Sequence, residues 1–209
     1  MSLIKKIVFI VIVSFVAGTL KAQGPVGYYA SAEGQTGENL KFSLHEIIKG
    51  HVMFPYSGST TDTWDILKET DRDTANSDNV ILFYSGWSVN AEQEYNGGQG
   101  WNREHVWAKS HGGFNTSPGP GTDAHNLRPS DISVNSARGN DDFDMGGTVY
   151  VDGDGLTECK FDGDSWEPRD AVKGDVARIL FYMAVRYEGS EGEIDLELVD
   201  DVDSYNLTG

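Results

Sequence analysis

The segment that decides the fold reads WNREHVW at residues 101–107, and it is followed by DAHNLRP at 123–129 and VNSARGN at 134–140. We expect a strand that ends at Glu104 and His105, then a polar loop rich in Gly and Pro, then a second strand at residues 125–127. A helix is expected to begin near Ser130 or Asp131. The pattern therefore predicts a β-hairpin followed directly by a helix.

Three polar side chains of this segment can meet at one place. Asn135 is expected one turn into the helix, so the hairpin and helix can gather Glu104, His105 and Asn135 around one metal ion. Adjacent strand residues point to opposite faces, so Glu104 and His105 can share a site only if the strand ends or bends there. His125 is the alternative ligand if it does not.

The residues before this segment predict two helices and a strand. Residues 42–49 have a helical apolar face, and Ser43 and Glu46 have the spacing of a capping box. Residues 63–69 suggest a second short helix. The β-branched and aromatic run at residues 80–84 indicates a buried strand.

The clearest helical pattern covers residues 175–187. Val176, Ile179 and Met183 fall on one apolar face. Arg178, Tyr182 and Arg186 fall on another face, four residues apart, which is either a solvated face or a face that contacts phosphates. Two helices, then strands, then a long helix indicate a mixed α+β fold.

The N-terminus has the features of a secretory signal peptide. Lys5 and Lys6 precede an uncharged apolar run at residues 7–20, and Ala22 offers a small residue for cleavage. We therefore expect residues 1–22 to be removed and the protein to be secreted. No later apolar run is long enough to span a bilayer, so we expect no membrane partner.

Residues 23–209 suit one domain that is large enough to bury its own core. Cys159 is the single cysteine of the chain, so no internal disulfide can form, and we expect it to be a buried small residue. No obligate protein partner is evident from the sequence.

The net charge of −17 counts against a nucleic-acid partner, because phosphate affinity usually comes from Lys and Arg. The acids cluster outside residues 101–140, however, and that stretch contains Arg103, Lys109, Arg128 and Arg138. We therefore expect a weakly basic cleft with weak, non-specific binding, in which Arg103 contacts substrate. The Asp- and Gly-rich residues 152–155 and 162–164 favour a solvated acidic hairpin. A structural Ca²⁺ site is the alternative, although the EF-hand spacing is not met.

The order REHVW, DAHNLRP and VNSARGN resembles the bacterial endonuclease I family of secreted or periplasmic nucleases, within the His-Me finger group. Tyr28-Tyr29, Trp64, Tyr84-Ser85 and KGDVAR at 173–178 follow the same order, so the resemblance covers nearly all of residues 23–209. It implies a ββα-metal core with surrounding helices. The family usually continues with a C-terminal segment rich in Trp, Arg and Asn, so we expect a fragment or a member that lacks this element.

The resemblance implies a metal-dependent endonuclease that cleaves DNA, with RNA as a further substrate, with little sequence specificity. His105 would be the general base, and Glu104 and Asn135 would bind Mg²⁺, with Ca²⁺ or Mn²⁺ as alternatives. A single hard ion would stabilise the leaving oxygen while His105 activates water. The products would carry 5′-phosphate and 3′-hydroxyl ends.

The resemblance also assigns supporting residues. Asn126 would brace the loop that presents the base, and Arg138 would hold the scissile phosphate or its product. Arg178 is a weaker candidate of the same kind. Two other readings stay open: a calcium-stabilised binding or adhesion module, favoured by the acidity, and a catalytically inactive family member.

Overall fold

The computed structural model describes residues 24–199 and has a mixed α+β fold, which confirms the predicted class. The helices are α1 (Gly37–Ile48), α2 (Thr63–Thr70), α3 (Lys109–Gly112), α4 (Ile132–Arg138) and α5 (Asp170–Arg186). The strands are β1 (Asn79–Ile81), β2 (Ser88–Asn90), β3 (Trp101–His105), β4 (Leu127–Asp131), β5 (Asp142–Phe143), β6 (Thr148–Asp152), β7 (Gly155–Phe161) and β8 (Ser165–Glu167). The predicted leader, residues 1–22, lies outside the described residues. Between residues 24 and 199, no helix combines the length and apolarity that crossing a bilayer requires.

The predicted hairpin and helix are present. β3 and β4 pair in antiparallel register, with Trp101 opposite Asp131 and His105 opposite Leu127. The carboxylate of Asp131 accepts hydrogen bonds from two backbone N–H groups in the first turn of α4, so the strand passes directly into a capped helix. Asn135 is the fourth residue of that helix, one turn in, as expected.

The second strand begins at Leu127, two residues later than predicted. The carboxylate of Asp123 accepts a hydrogen bond from the backbone N–H of His125, and the carbonyl of Asp123 accepts bonds from those of Asn126 and Leu127. These bonds form a tight turn. An Asp side chain that bonds its own backbone two residues on favours a turn over a strand, so His125 lies outside the hairpin.

Two buried clusters flank the hairpin. Leu67, Val80, Trp101 and Leu127 belong to the cluster shared with α2 and β1. The larger cluster joins the end of β3, α4 and α5 to a four-stranded sheet of order β5-β8-β7-β6, and it includes Tyr84, Val106, Val134, Trp166 and Met183. The end of β3 is therefore held from both sides.

Both long helices begin earlier than predicted. α1 starts at Gly37, so Ser43 and Glu46 lie inside the helix and the predicted capping box is wrong. Lys41 lies in the N-terminal part of α1 that was not predicted, and its ion pair with Glu197 stabilises this part of the helix.

α5 starts at Asp170, five residues before the prediction, and contains Gly174. Val172 is buried in the larger cluster. Its packing offsets the roughly 1 kcal/mol that an internal glycine costs a helix.

The strand predicted at residues 80–84 is shorter than expected, because β1 covers only Asn79–Ile81. Leu82, Phe83 and Tyr84 are nevertheless buried. A run of apolar residues indicates that the segment is buried, but a buried segment need not form the hydrogen bonds of a β-strand.

Candidate active site

The last residues of β3 present polar side chains on two faces of the hairpin. Asn102 and Glu104 lie on the face covered by α4, where they contact Asn135 and Arg138 respectively. His105 lies on the other face, where its ring stacks on Tyr56. Strand alternation thus separates Glu104 from His105, and only the end of the strand at His105 allows them to serve one site.

The imidazole of His105 is buried and anchored. Its Nε2 lies 2.9 Å from the carbonyl oxygen of Gly121, and its ring stacks on Tyr56 with centroids 5.8 Å apart. Burial lowers the pKa of His105 to about 4, and the positive charges of Lys109 and Arg103 act in the same direction. His105 is therefore neutral at neutral pH.

The carboxylate of Glu104 is held by two donors. The Tyr84 hydroxyl donates to Oε1 at 2.7 Å, and Nη1 of Arg138 lies 3.2 Å from the same oxygen. Glu104 is 3% exposed and Arg138 is 2% exposed, so the ion pair is buried. Burial raises the pKa of Glu104, and the Arg138 charge and the Tyr84 hydrogen bond oppose this shift.

Oxygen donors for a metal ion are found on the α4 face. Nδ2 of Asn135 donates to Oδ1 of Asn102 at 2.7 Å, which orients both amides on the α4 side of the hairpin, the side that also carries Glu104. A hard divalent cation prefers such carboxylate and amide oxygens, so these residues fit a magnesium-like ion. In the part of the chain that the structure describes, no group of three or more His, Cys, Asp or Glu side chains could hold a metal. The candidate set is therefore one carboxylate with amides.

Asn126 connects the end of β3 to the loop that holds His105. Its Oδ1 accepts a hydrogen bond from the backbone N–H of Trp107 at 2.7 Å, and its Nδ2 donates to the Trp107 carbonyl at 3.2 Å. Nδ2 also lies 3.5 Å from the carbonyl of Pro120, next to Gly121. A Cβ at Gly121 would lie 1.7 Å from the Asn115 carbonyl oxygen, so this turn admits only glycine. Asn126 thus links the backbone after β3 to the turn that contains Gly121.

Arg138 is placed differently from what the resemblance implied. Its guanidinium donates to the backbone carbonyls of His105 and Val106 and pairs with Glu104. A side chain that is 2% exposed has little access to a substrate phosphate. The structure gives Arg138 contacts that fix the end of β3 instead.

Arg103 is buried, so the structure does not favour its predicted contact with substrate. Its guanidinium lies 3.4 Å from the Tyr56 ring centroid and 3.9 Å from that of Trp64, and it donates to the Tyr56 carbonyl. Arg103 therefore holds Tyr56, the residue that stacks on His105. The sequence offered no sign of this role, because Tyr56 is 47 residues away.

The polar face predicted on α5 is only partly exposed. Arg178 is exposed and pairs with Asp175, so it remains available to a ligand. Arg186 is buried and pairs with Glu193, so it cannot belong to a phosphate-contacting face. Tyr182 lies between them in the sequence, and its hydroxyl group donates a hydrogen bond to the Asp123 carboxylate.

Asp123, the first residue of DAHNLRP, is a buried hydrogen-bond acceptor whose role its local sequence did not indicate. It accepts hydrogen bonds from Tyr182 at 2.9 Å, Tyr187 at 2.8 Å and the backbone N–H of His125 at 2.9 Å. Burial alone would raise the pKa of Asp123, but the hydrogen bonds from His125 and Tyr187 outweigh burial and lower it.

His125 is oriented by this acceptor. Its Nδ1 lies 3.3 Å from Asp123, and its ring stacks on Tyr182. Within residues 24–199 it makes no contact to Glu104 or Asn135 that would support its role as the alternative ligand.

The Asp- and Gly-rich segments form turns. Asp152 accepts a hydrogen bond from the Asp154 backbone N–H at the tip of the β6–β7 hairpin, and Asp162 accepts one from Ser165. These bonds give the carboxylates a role in the turns, and no observation favours the Ca²⁺ alternative. Cys159 is buried, as expected.

Comparison with known proteins gives consistent matches. The family model described as Endonuclease I matches residues 36–204. The chain is 61% identical to an extracellular ribonuclease of Bacillus subtilis (strain 168) over 175 residues, which cover 83% of this chain and 58% of the relative. It is 59% identical to an extracellular ribonuclease of Bacillus amyloliquefaciens over 174 residues, which cover 83% of this chain and 57% of the relative. The chain thus spans less than two thirds of the length of these relatives.

Proposed function

Because the chain belongs to the endonuclease I family, we propose that it is a secreted endonuclease that hydrolyses phosphodiester bonds in RNA and DNA with little sequence specificity. The names of the two relatives favour RNA, and the resemblance in the sequence favours DNA. In this proposal the β3–β4 hairpin and α4 form the ββα-metal core. The observation that carries it is the buried, anchored imidazole of His105 at the end of β3, the strand whose preceding residue carries the buried Glu104 carboxylate.

His105 is the proposed general base. The Gly121 carbonyl can only accept a hydrogen bond, so Nε2 carries the ring proton and Nδ1 keeps its lone pair for the proton of water. The low pKa ensures the free-base form at neutral pH. An approaching phosphate would raise the pKa, because a nearby negative charge favours the imidazolium, and this would strengthen the base when substrate is bound.

Glu104 and Asn135 are the proposed metal ligands, with Asn102 orienting the amide of Asn135. Mg²⁺ is the expected ion, with Ca²⁺ or Mn²⁺ as alternatives. When bound, the ion would stabilise negative charge on the phosphate and on the leaving 3′ oxygen. The products would carry 5′-phosphate and 3′-hydroxyl ends. A single carboxylate leaves such a site open to substrate.

Arg138 and Asn126 act as positioning residues in this proposal. Arg138 fixes the carbonyls of His105 and Val106 and one oxygen of Glu104, so it maintains the angle between base and carboxylate. Asn126 braces the loop around Gly121. Arg178 remains the proposed phosphate contact, because it is exposed.

The test is cleavage of supercoiled plasmid and of single-stranded RNA by residues 23–209, with Mg²⁺ and with EDTA. We expect cleavage only with metal, and its loss in His105→Ala with an unchanged circular dichroism spectrum. Added imidazole should restore part of the activity of that variant. Wild-type cleavage in EDTA, or an undiminished rate in His105→Ala, would refute the proposal. Metal binding without cleavage would identify an inactive family member.

A further inference from the structure

A pocket of about 420 Å³ lies between β4 and the first turns of α5. Arg128, Arg169, His125 and Phe83 are among the residues that line it. Arg128 is directly opposite Glu104 in the register of the hairpin. Neighbouring strands are about 5 Å apart, so the pocket begins next to the candidate active site.

The two arginines are fixed by backbone carbonyls. Nη1 of Arg128 donates to the carbonyls of Ala124 and Leu127, at 3.3 and 3.0 Å, and Nε of Arg169 donates to that of Phe83 at 2.9 Å. Each bond uses part of a guanidinium and leaves further N–H groups for a ligand. Preorganised guanidinium groups suit the oxygens of a phosphate.

The pocket is mixed in charge. Asp71 and Asp175 also line it; Asp71 lies 3.9 Å from Arg128, and Asp175 pairs with Arg178. A bare anion gains little from such a lining. A nucleotide offers phosphate oxygens to the arginines and base N–H groups to a carboxylate, so it matches both charges.

A rigid aromatic platform stands at the edge of the pocket. The side chain of His125 is 68% exposed, and its ring lies on Tyr182 with centroids 4.4 Å apart and planes at 26°. Asp123 binds both side chains, so a buried carboxylate fixes a surface imidazole. The outer face of such a ring can stack on a base of any sequence.

We propose that this pocket binds one nucleotide of a single-stranded chain next to the scissile bond, with its base on His125 and its phosphate at Arg128 and Arg169. The bases of a duplex are stacked on one another and cannot reach the platform. The enzyme therefore prefers single-stranded over duplex nucleic acid. This inference rests on the proposed function, since it places the pocket beside the proposed site of cleavage.

The test is binding in EDTA, where metal-dependent cleavage is absent. Fluorescence anisotropy is measured with a labelled single-stranded DNA of about 12 nucleotides, a length within the usual range of site sizes, and with the matching duplex. We expect His125→Ala to weaken single-strand binding at least about fivefold. Duplex binding should change little. His125→Phe should bind like the wild type, because it retains a ring.

Lys160→Gln is the control, because Lys160 lies on β7, outside the lining of the pocket, and pairs with Glu167 of β8. It should leave the preference for single strands intact. Equal losses for single strand and duplex in His125→Ala, or no single-strand binding by the wild type, would overturn the inference. The measurement does not depend on catalysis. A protein that cleaves no nucleic acid but still binds single strands more tightly than duplexes would refute the proposed function and support the proposed pocket.

Discussion

His105 and His125 lie near opposite ends of the loop that joins β3 to β4, and the structure treats them in opposite ways. His105 is buried, with its Nε2 on the carbonyl of Gly121. His125 is exposed, with its Nδ1 near the buried carboxylate of Asp123. A carbonyl can only accept a hydrogen bond and so fixes one tautomer of the His105 ring, whereas the Asp123 carboxylate orients the ring of His125 at the surface.

The comparison indicates that burial and the hydrogen-bond partner of the ring together determine which function a histidine side chain can serve. In the proposed mechanism His105 takes a proton from water at a buried position, and in the proposed pocket the exposed ring of His125 stacks on a base. The motif DAHNLRP contains His125 and the stretch WNREHVW contains His105, yet the motifs alone do not distinguish the two roles.

The sharpest contrast is catalytic. We expect His105→Ala to lower kcat about 10²- to 10⁴-fold, the usual contribution of a general base. We expect His125→Ala to raise KM for single strands with a much smaller effect on kcat, because it removes binding rather than chemistry. Steady-state kinetics on single-stranded RNA measure both. Equal losses of kcat in the two variants would contradict the assignment of a catalytic role to His105 and a binding role to His125.

The next largest effect concerns the stability that the buried Arg138–Glu104 ion pair gives to the end of β3. Arg138→Met leaves Glu104 as an unpaired buried charge, so we expect a loss of about 3–5 kcal/mol in the free energy of unfolding in urea. Adding Glu104→Gln should recover part of that loss. Arg178→Met, which removes an exposed partner, is the control. A loss no larger than that of the control would show that the buried pair is not coupled.

The packing of His125 against α5 depends on the buried carboxylate of Asp123. Asp123→Asn keeps the shape but weakens the bonds from Tyr182 and Tyr187, so we expect a loss of about 1–3 kcal/mol at neutral pH. The pKa of Asp123 is lowered on folding, so its contribution is present above the unfolded pKa of about 3.9 and is lost as the pH falls through the folded pKa. The difference between wild type and variant, followed by urea unfolding, should shrink below about pH 4. A difference that grows with acidity would contradict this account.

The smallest effect is expected at Arg178. Its exposed pair with Asp175 contributes less than about 1 kcal/mol, so Arg178→Gln should unfold almost like the wild type. If Arg178 contacts a phosphate, the variant should lower the salt dependence of single-strand binding by about 0.7 in the log–log slope. An unchanged slope would remove Arg178 from the proposed phosphate contacts.

Local signals predicted the end of β3 and the helix α4, but they placed the second strand at residues 125–127, where the structure has a turn that leads into β4. Asp131 is a good N-cap, and the strand of β3 ends where the polar loop begins, so the position of Asn135 followed from short-range chemistry. The starts of α1 and α5 were missed, because ion pairing at Lys41 and packing at Val172 depend on distant partners.

The sequence by itself determined the family, the mixed fold, the order of the motifs and the residue types that suit a base and a hard metal. Only the tertiary structure decided which charged side chains are accessible. Arg103 and Arg138 read as surface cations, yet packing buries both, while Asp123 gains two tyrosine partners 59 and 64 residues away. The physical reason is that burial and hydrogen-bond partners are set by contacts between distant segments, and local patterns carry no record of them.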